Sequence, residues 1–190
     1  MSVREDIWSI YRESLPILFV ALGGGLFSGI VLEQLTASVE RFPGLLVMVP
    51  VFLATRGNVY GALGGRISSG LHQGLIDPVF EYDERLVNAV VASFINGIGV
   101  SIFIGFLTWF VLTLLPGWEV AQLLELVAIM FLAAVLTSVI MIVGLLGLIF
   151  AGFNSGYDPD NLVGPIVTTL GDIFGMLFMI FSVWLVGVLL

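Results

Sequence analysis

Apolar residues along this chain come in long unbroken runs, not in the alternating or single-stripe patterns of soluble strands and helices. No charge interrupts Ser14–Leu32, Leu86–Trp118 or Leu126–Tyr157, and beyond Asn161 the only charged side chain is Asp172. A helix that crosses a bilayer needs roughly 20 mainly apolar residues. The pattern predicts five spans, at about 15–35, 44–71, 86–115, 120–152 and 161–190. The breaks between them are short. Residues 36–43 form a brief loop, Pro116-Gly117 marks a tight turn, and "DPVFEYDER" at 77–85 is an acidic connection. In the polar turn "NSGYDPDN", 154–161, Asp160 or Asn161 is the expected helix N-cap. The start, "MSVREDIWSIYRESL", mixes acids, Arg and aromatics, unlike the basic start of a cleaved signal peptide. It is therefore expected to be retained, with residues 1–14 as a short interfacial helical segment. Residues 1–190 then form a single transmembrane domain, since no stretch is long enough for a separate soluble one.

Composition strengthens this picture. The chain is 59% hydrophobic and 11% charged, with a mean hydropathy of +1.14, whereas soluble domains carry about 25% charged residues. The fold class is an all-α polytopic membrane protein. The formal charge is −8, which argues against nucleic acid as a partner and suits the gathering of cations at a pore mouth. There is no Cys and a single His, so thiolate ligation is excluded and soft-metal sites are disfavoured. All 6 basic residues are Arg. Placing the N-terminus in the cytoplasm puts Arg4, Arg12, Arg66 and Arg85 on or near that face and leaves Arg41 on the other. The bias predicts N-terminus in, C-terminus out, in the cell membrane.

Two short phrases resemble each other, "GNVYGAL" at 57–63 and "GDIFGML" at 171–177. With the predicted topology they run antiparallel, as related segments do in transporters built from inverted repeats around a midplane ion site. Common ancestry and chance likeness are both open. Functional pairing of the two segments does not depend on which holds.

Asp172 is the most informative residue. A carboxylate near the centre of a lipid-embedded helix costs at least ~2.5–3.5 kcal/mol, so it normally faces a partner or a wet cavity. It marks either an ion path or a protonated acid bonded between helices. Gly164, Thr168, Asp172 and Gly175 share one helix face by their spacing, and Ala54, Asn58, Gly61, Gly65 and Ser68 form a similar small, polar stripe on span 2. The series Gly57, Gly61, Gly65 also suits close helix packing. Packing alone does not explain an amide and a carboxylate at matching places in two such stripes. Three roles are open to Arg56, within span 2: snorkelling to an interface, pairing with an acid, or shaping the field a cation meets. Asn88, Ala92, Asn96 and Gly99 on span 3 are read as glue between helices in preference to pore lining. Glu33, Glu40, Glu119 and Glu125 should gather at one face and Asp77, Glu81, Asp83, Glu84, Asp158 and Asp160 at the other, most of them simply solvated.

The available ligands are carboxylate, amide, hydroxyl and carbonyl oxygens, which select hard cations. A hydrated Mg²⁺, usually held by one or two carboxylates with several waters kept, suits one Asp per chain among small residues. The reading is thus a transporter of divalent cations, not an enzyme, with Mg²⁺ as the transported ion. One alternative is a Na⁺- or H⁺-coupled Mg²⁺ exchanger. Another, of a different class, is a non-transporting scaffold in which Asn58 and Asp172 only lock helices together.

"PVFLATRGNVYGALGGRISSG", 50–70, resembles the second-span motif of the MgtE and solute-carrier-forty-one magnesium transporters, with Gly57-Asn58 and Arg66-xx-Ser69 close to the solute-carrier branch. "DPDNLVGPIVTTLGD", 158–172, is similar to the fifth-span signature of both. The resemblance implies a homodimer in the lipid bilayer, with spans 2 and 5 of each copy lining one pore at the dimer axis. It implies Asp172 as the magnesium carboxylate, with Asn58 and the backbone near Thr168 completing the hydrated-ion site. Ala54, Gly57, Gly61, Gly65, Gly164, Thr169 and Gly175 would line the pore, with Gly61 and Gly175 at close approach. Two Asp172 carboxylates facing one axis would repel each other unless a divalent ion sat between them, and protons would compete with that ion, so low pH should weaken binding. The bacterial members carry cytosolic N-terminal and CBS domains that close the pore, and the solute carriers are similar to two such halves fused. This sequence matches one half without those domains, so a second copy is the expected partner, with regulation open to either a separate regulatory subunit or the pore's own acids.

Overall fold

The computed structural model describes residues 3–190, with side chains described throughout except at 3–6, 9, 10 and 13. Five long helices follow one another up and down: α1 (Val3–Leu35), α2 (Leu45–His72), α3 (Glu84–Leu114), α4 (Leu123–Asn154) and α5 (Pro159–Leu189). All five are long and apolar enough to cross a membrane, and among the described residues there is no strand. The predicted spans are all present, with ends that differ by a few residues. In lipid each backbone N–H and C=O must be satisfied within its own segment, which leaves the helix as the form for so apolar a chain.

Local chemistry sets the helix ends. The Asp83 side chain accepts from the Leu86 amide at 2.8 Å and starts α3 two residues before the predicted span. Gln122 and Glu125 form a reciprocal capping box at the start of α4. The N-cap of α5 is Asp158, which accepts from the Asp160 amide at 2.9 Å, and not Asp160 or Asn161 as expected. Pro159 takes the first helical position, where its missing N–H costs nothing, and so moves the boundary upstream. The turn at Pro116-Gly117 forms as expected, with Gly117 at φ +82°.

Over the described residues the expected N-terminal segment is helical and continuous with the first span: α1 runs without a break from Val3 through Pro16 into the apolar run, which begins at Ser14. Residues 1 and 2 of that expected segment lie outside the described residues. Prolines inside α1, α2 and α5 are tolerated as in other membrane helices, where neighbours and small distortions re-satisfy freed groups.

Helix α4 lies at the centre, packed on α3 and α5; α2 spans the gap between α3 and α5, and α1 packs chiefly on the outside of α5. Lipid tails are as apolar as side chains, so helices meet where small residues permit close approach. A Cβ on Gly105 would stand 3.0 Å from the Val127 Cα, leaving α3 and α4 in backbone contact. Two apolar clusters fill the interior. One joins Phe42, Leu45, Met48, Phe52, Met130 and Met179; the other joins Tyr60, Leu63, Ile67, Met141, Leu145 and Ile149. Between them, on α2, lies Arg56.

Candidate functional site

Helices α2 and α5 pack antiparallel along a seam that can be read residue by residue. Ser68 donates a hydrogen bond to the Asp160 carboxylate at one end. A Cβ on Gly64 would stand 2.5 Å from Val163 Cγ1, one on Gly171 would stand 3.6 Å from the Arg56 Cβ, and one on Gly175 would stand 3.0 Å from Leu53. Gly171 opens the second repeated phrase and meets the residue just before the first. The two phrases therefore begin at one level and run apart.

The glycines of these helices fall into two kinds. Gly64, Gly171 and Gly175 are seam residues with neighbours at contact distance. Around Gly57, Gly61, Gly65 and Gly164 an added Cβ would meet nothing within 4 Å. The open set shares its face of α2 with exposed Ala54 and Asn58, and its face of α5 with exposed Thr168. Gly175, expected at a pore, instead lets α5 approach Leu53 and Phe52. Ser68, placed on the open stripe by spacing, is fully buried in the seam.

Asp172 is half-buried, one turn beyond Thr168. By helical spacing Thr168 and Asp172 lie between the α5 residues that meet α2 and those that meet α1, Thr169 and Ile173, on the side away from α4. The Thr168 hydroxyl donates back to the carbonyls of Gly164 and Pro165, both at 3.1 Å, and its lone pairs remain outward. Thr169, the other expected lining residue of this pair, donates to Pro165 at 2.7 Å. Its methyl would touch a Cβ on Gly24 at 3.1 Å, so it faces α1. One outward surface of the α2–α5 pair thus presents an amide, a hydroxyl, a carboxylate and bare backbone. Such oxygens suit a hard cation that keeps part of its water.

Of the three roles open to Arg56, the structure rules out two: it neither snorkels nor pairs with an acid. It is fully buried. Nη2 donates to the Gly97 carbonyl at 2.6 Å and to the Ser101 hydroxyl, and Nη1 to the Ser138 hydroxyl at 3.4 Å. The guanidinium lies 4.6 Å from the Phe52 ring centroid and 5.6 Å from that of Tyr60, within cation–π range. Tyr60 in turn donates to Ser138 at 2.6 Å. Only Nε among its nitrogens lacks a partner. Sequence reasoning missed these partners, since two serines and a glycine on other helices give no local signal. The expected polar glue of α3 is corrected as well: Asn88, Asn96 and Gly99 are exposed, and Ser93, Gly97 and Ser101 form the buried stripe.

At the seam's other end His72, Asp158 and Asp160 bring ligand atoms within 4.8 Å of one another, all exposed. Asp158 and Asp160 already have structural work there, as helix cap and as acceptor for Ser68.

Comparison with known proteins places this arrangement. Residues 49–182 match the model of the family MgtE, described as divalent cation transporter. Solute carrier family 41 member 3 of Rattus norvegicus is 26% identical over 163 residues, covering 78% of this chain and 34% of its own. Solute carrier family 41 member 2 is 25% identical in Xenopus laevis, covering 90% of this chain and 31% of its own, and 24% identical in Homo sapiens, covering 86% and 29%. The chain thus spans about a third of the length of these curated relatives. No solved structure matches. The matched region runs from the second span to the fifth and holds both repeated phrases, the open glycines, Asn58 and Asp172. The chain belongs to the MgtE family of divalent cation transporters.

Proposed function

We propose that this protein carries Mg²⁺ across the cell membrane along the outward face of α2 and α5, closed into a pore by the same face of a second copy. The observation that carries the reading is the open polar surface itself. Asn58 is exposed on α2 and Asp172 only partly buried on α5, among glycines whose Cβ positions are empty. Lipid is a poor neighbour for an amide and a carboxylate. A two-fold related copy supplies a matching surface, as isologous pairing requires, and the small residues leave room for water between them.

Asp172 from each copy would give the ion its charge partners, while Asn58 and Thr168 offer neutral oxygens to its water shell. Mg²⁺ dehydrates reluctantly, so a wide site that binds through water can select it and still release it. Ala54, Gly57, Gly61, Gly65 and Gly164 keep the wall thin. Arg12, Arg66 and Arg85 lie towards one end of the bundle and Arg41 at the other, which supports a cytoplasmic N-terminus and an external C-terminus.

The chain has no Cys, so a thiol at position 58 is a lone reporter. In Asn58→Cys a water-soluble maleimide should react, Mg²⁺ should slow it, and mild oxidation should link two copies. A thiol that never reacts, or reacts at a rate indifferent to Mg²⁺ without forming a linked pair, contradicts the proposal.

A further inference from the structure

Among the described residues Arg56 is the one charged side chain that is fully buried, and the ion path above makes no use of it. A guanidinium held in lipid-embedded protein without a carboxylate is costly, so filling space does not account for it. We infer that Arg56 is a positioning residue: its guanidinium, forked onto α3 and α4, fixes the rotation of α2 about its own axis and so holds Asn58 towards the ion path.

The geometry is that of a clamp. Gly97 and Ser101 on α3 and Ser138 on α4 all accept from Arg56. Tyr60, one turn along α2, donates to the same Ser138. Successive turns of α2 are thereby tied to one point. Gly97 leaves the space for it, since a Cβ there would stand 2.7 Å from the Tyr60 oxygen, 3.3 Å from Ser138 Oγ and 3.4 Å from Arg56 Nη1. A clamp is needed because the open face of α2, from Ala54 to Gly65, carries small residues with Asn58 as its one long polar side chain, too little by itself to fix the helix's rotation. Directional bonds to a rigid planar fork supply that preference. Arg56 and Asn58 are two residues apart, so a rotation that releases the first turns the second away.

The inference rests on the proposed role of the α2 face, and its test reads helix rotation without reading flux. Ala62 is exposed and Leu63, its neighbour, is fully buried. Single thiols are placed at each in the full chain, reconstituted in lipid, and their rates with a water-soluble maleimide are compared. Ala62→Cys should react many times faster than Leu63→Cys. In Arg56→Met the ratio should fall towards one. Ser138→Ala, a milder change, should shift it in the same direction, and Arg56→Lys, which keeps the charge but cannot fork, should not restore it. An unchanged ratio in folded Arg56→Met and Ser138→Ala overturns the clamp, and so does full restoration by Arg56→Lys. If Ala62→Cys is silent to the water-soluble reagent in the otherwise native chain, a lipid-soluble maleimide reads the same ratio for the clamp, and the ion path is tested separately by Asn58→Cys.

Discussion

Arg56 and Asn58, two positions apart on α2, lie on opposite sides of that helix: the guanidinium is fully buried between α3 and α4, while the amide is exposed. Around this one turn the helix changes from interior strut to open surface. The change explains how so apolar a segment holds a cation and an amide without joining them, and it sets the expectations that follow.

Two glycines one turn apart on α2 should behave oppositely. Gly64→Ala puts a methyl 2.5 Å from Val163, and such overpacking typically costs about 1–3 kcal/mol. Gly61→Ala meets nothing within 4 Å, so stability should hold while Mg²⁺ flux falls as the wall thickens. Thermal unfolding in detergent and flux in liposomes, measured on both variants, separate the two effects.

Ser68→Ala should loosen the start of α5. It removes the hydrogen bond to Asp160 across the seam, worth about 1 kcal/mol at so exposed an acceptor. Hydrogen exchange should quicken at the first turns of α5 and remain unchanged at the start of α4, which has its own capping box.

Thiols at Ser155 and Trp118, in turns at opposite ends of the bundle, should report the orientation. In intact cells an impermeant reagent should label Trp118→Cys and leave Ser155→Cys untouched. The reverse pattern would invert the proposed topology and leave the ion path as it is.

Much of this architecture could be read directly from the residues. Three long charge-free runs, and two apolar stretches interrupted only by Arg56, Arg66 and Asp172, announced five helices, and Asp172 stood out as the lone charge after Asn161. The pairing of α2 with α5 was anticipated, but the side chains that meet where helices touch were not. Helical spacing put Ser68 on the open stripe, but the approach of α5 makes that flank a seam. Gly64 and Gly65 are adjacent and chemically identical, yet one touches Val163 and the other touches nothing. The partners of Arg56 lie 41, 45 and 82 positions away and carry no charge. A search for an acid to pair with it would not have found them. The Asn residues of α3 looked like glue because amides bond well between helices, but the smaller Ser93, Gly97 and Ser101 permit the close approach and take the interior.

The central claim is that Asp172 holds the ion in transit, and Mg²⁺ uptake into liposomes containing the purified full chain tests it most directly. Asp172→Asn keeps shape and volume and removes the charge. Uptake by this variant should fall by about 10–100-fold or more, since changes even outside the immediate ligands of a metal site cost that much. Undiminished, still Mg²⁺-selective uptake through Asp172→Asn would contradict the account.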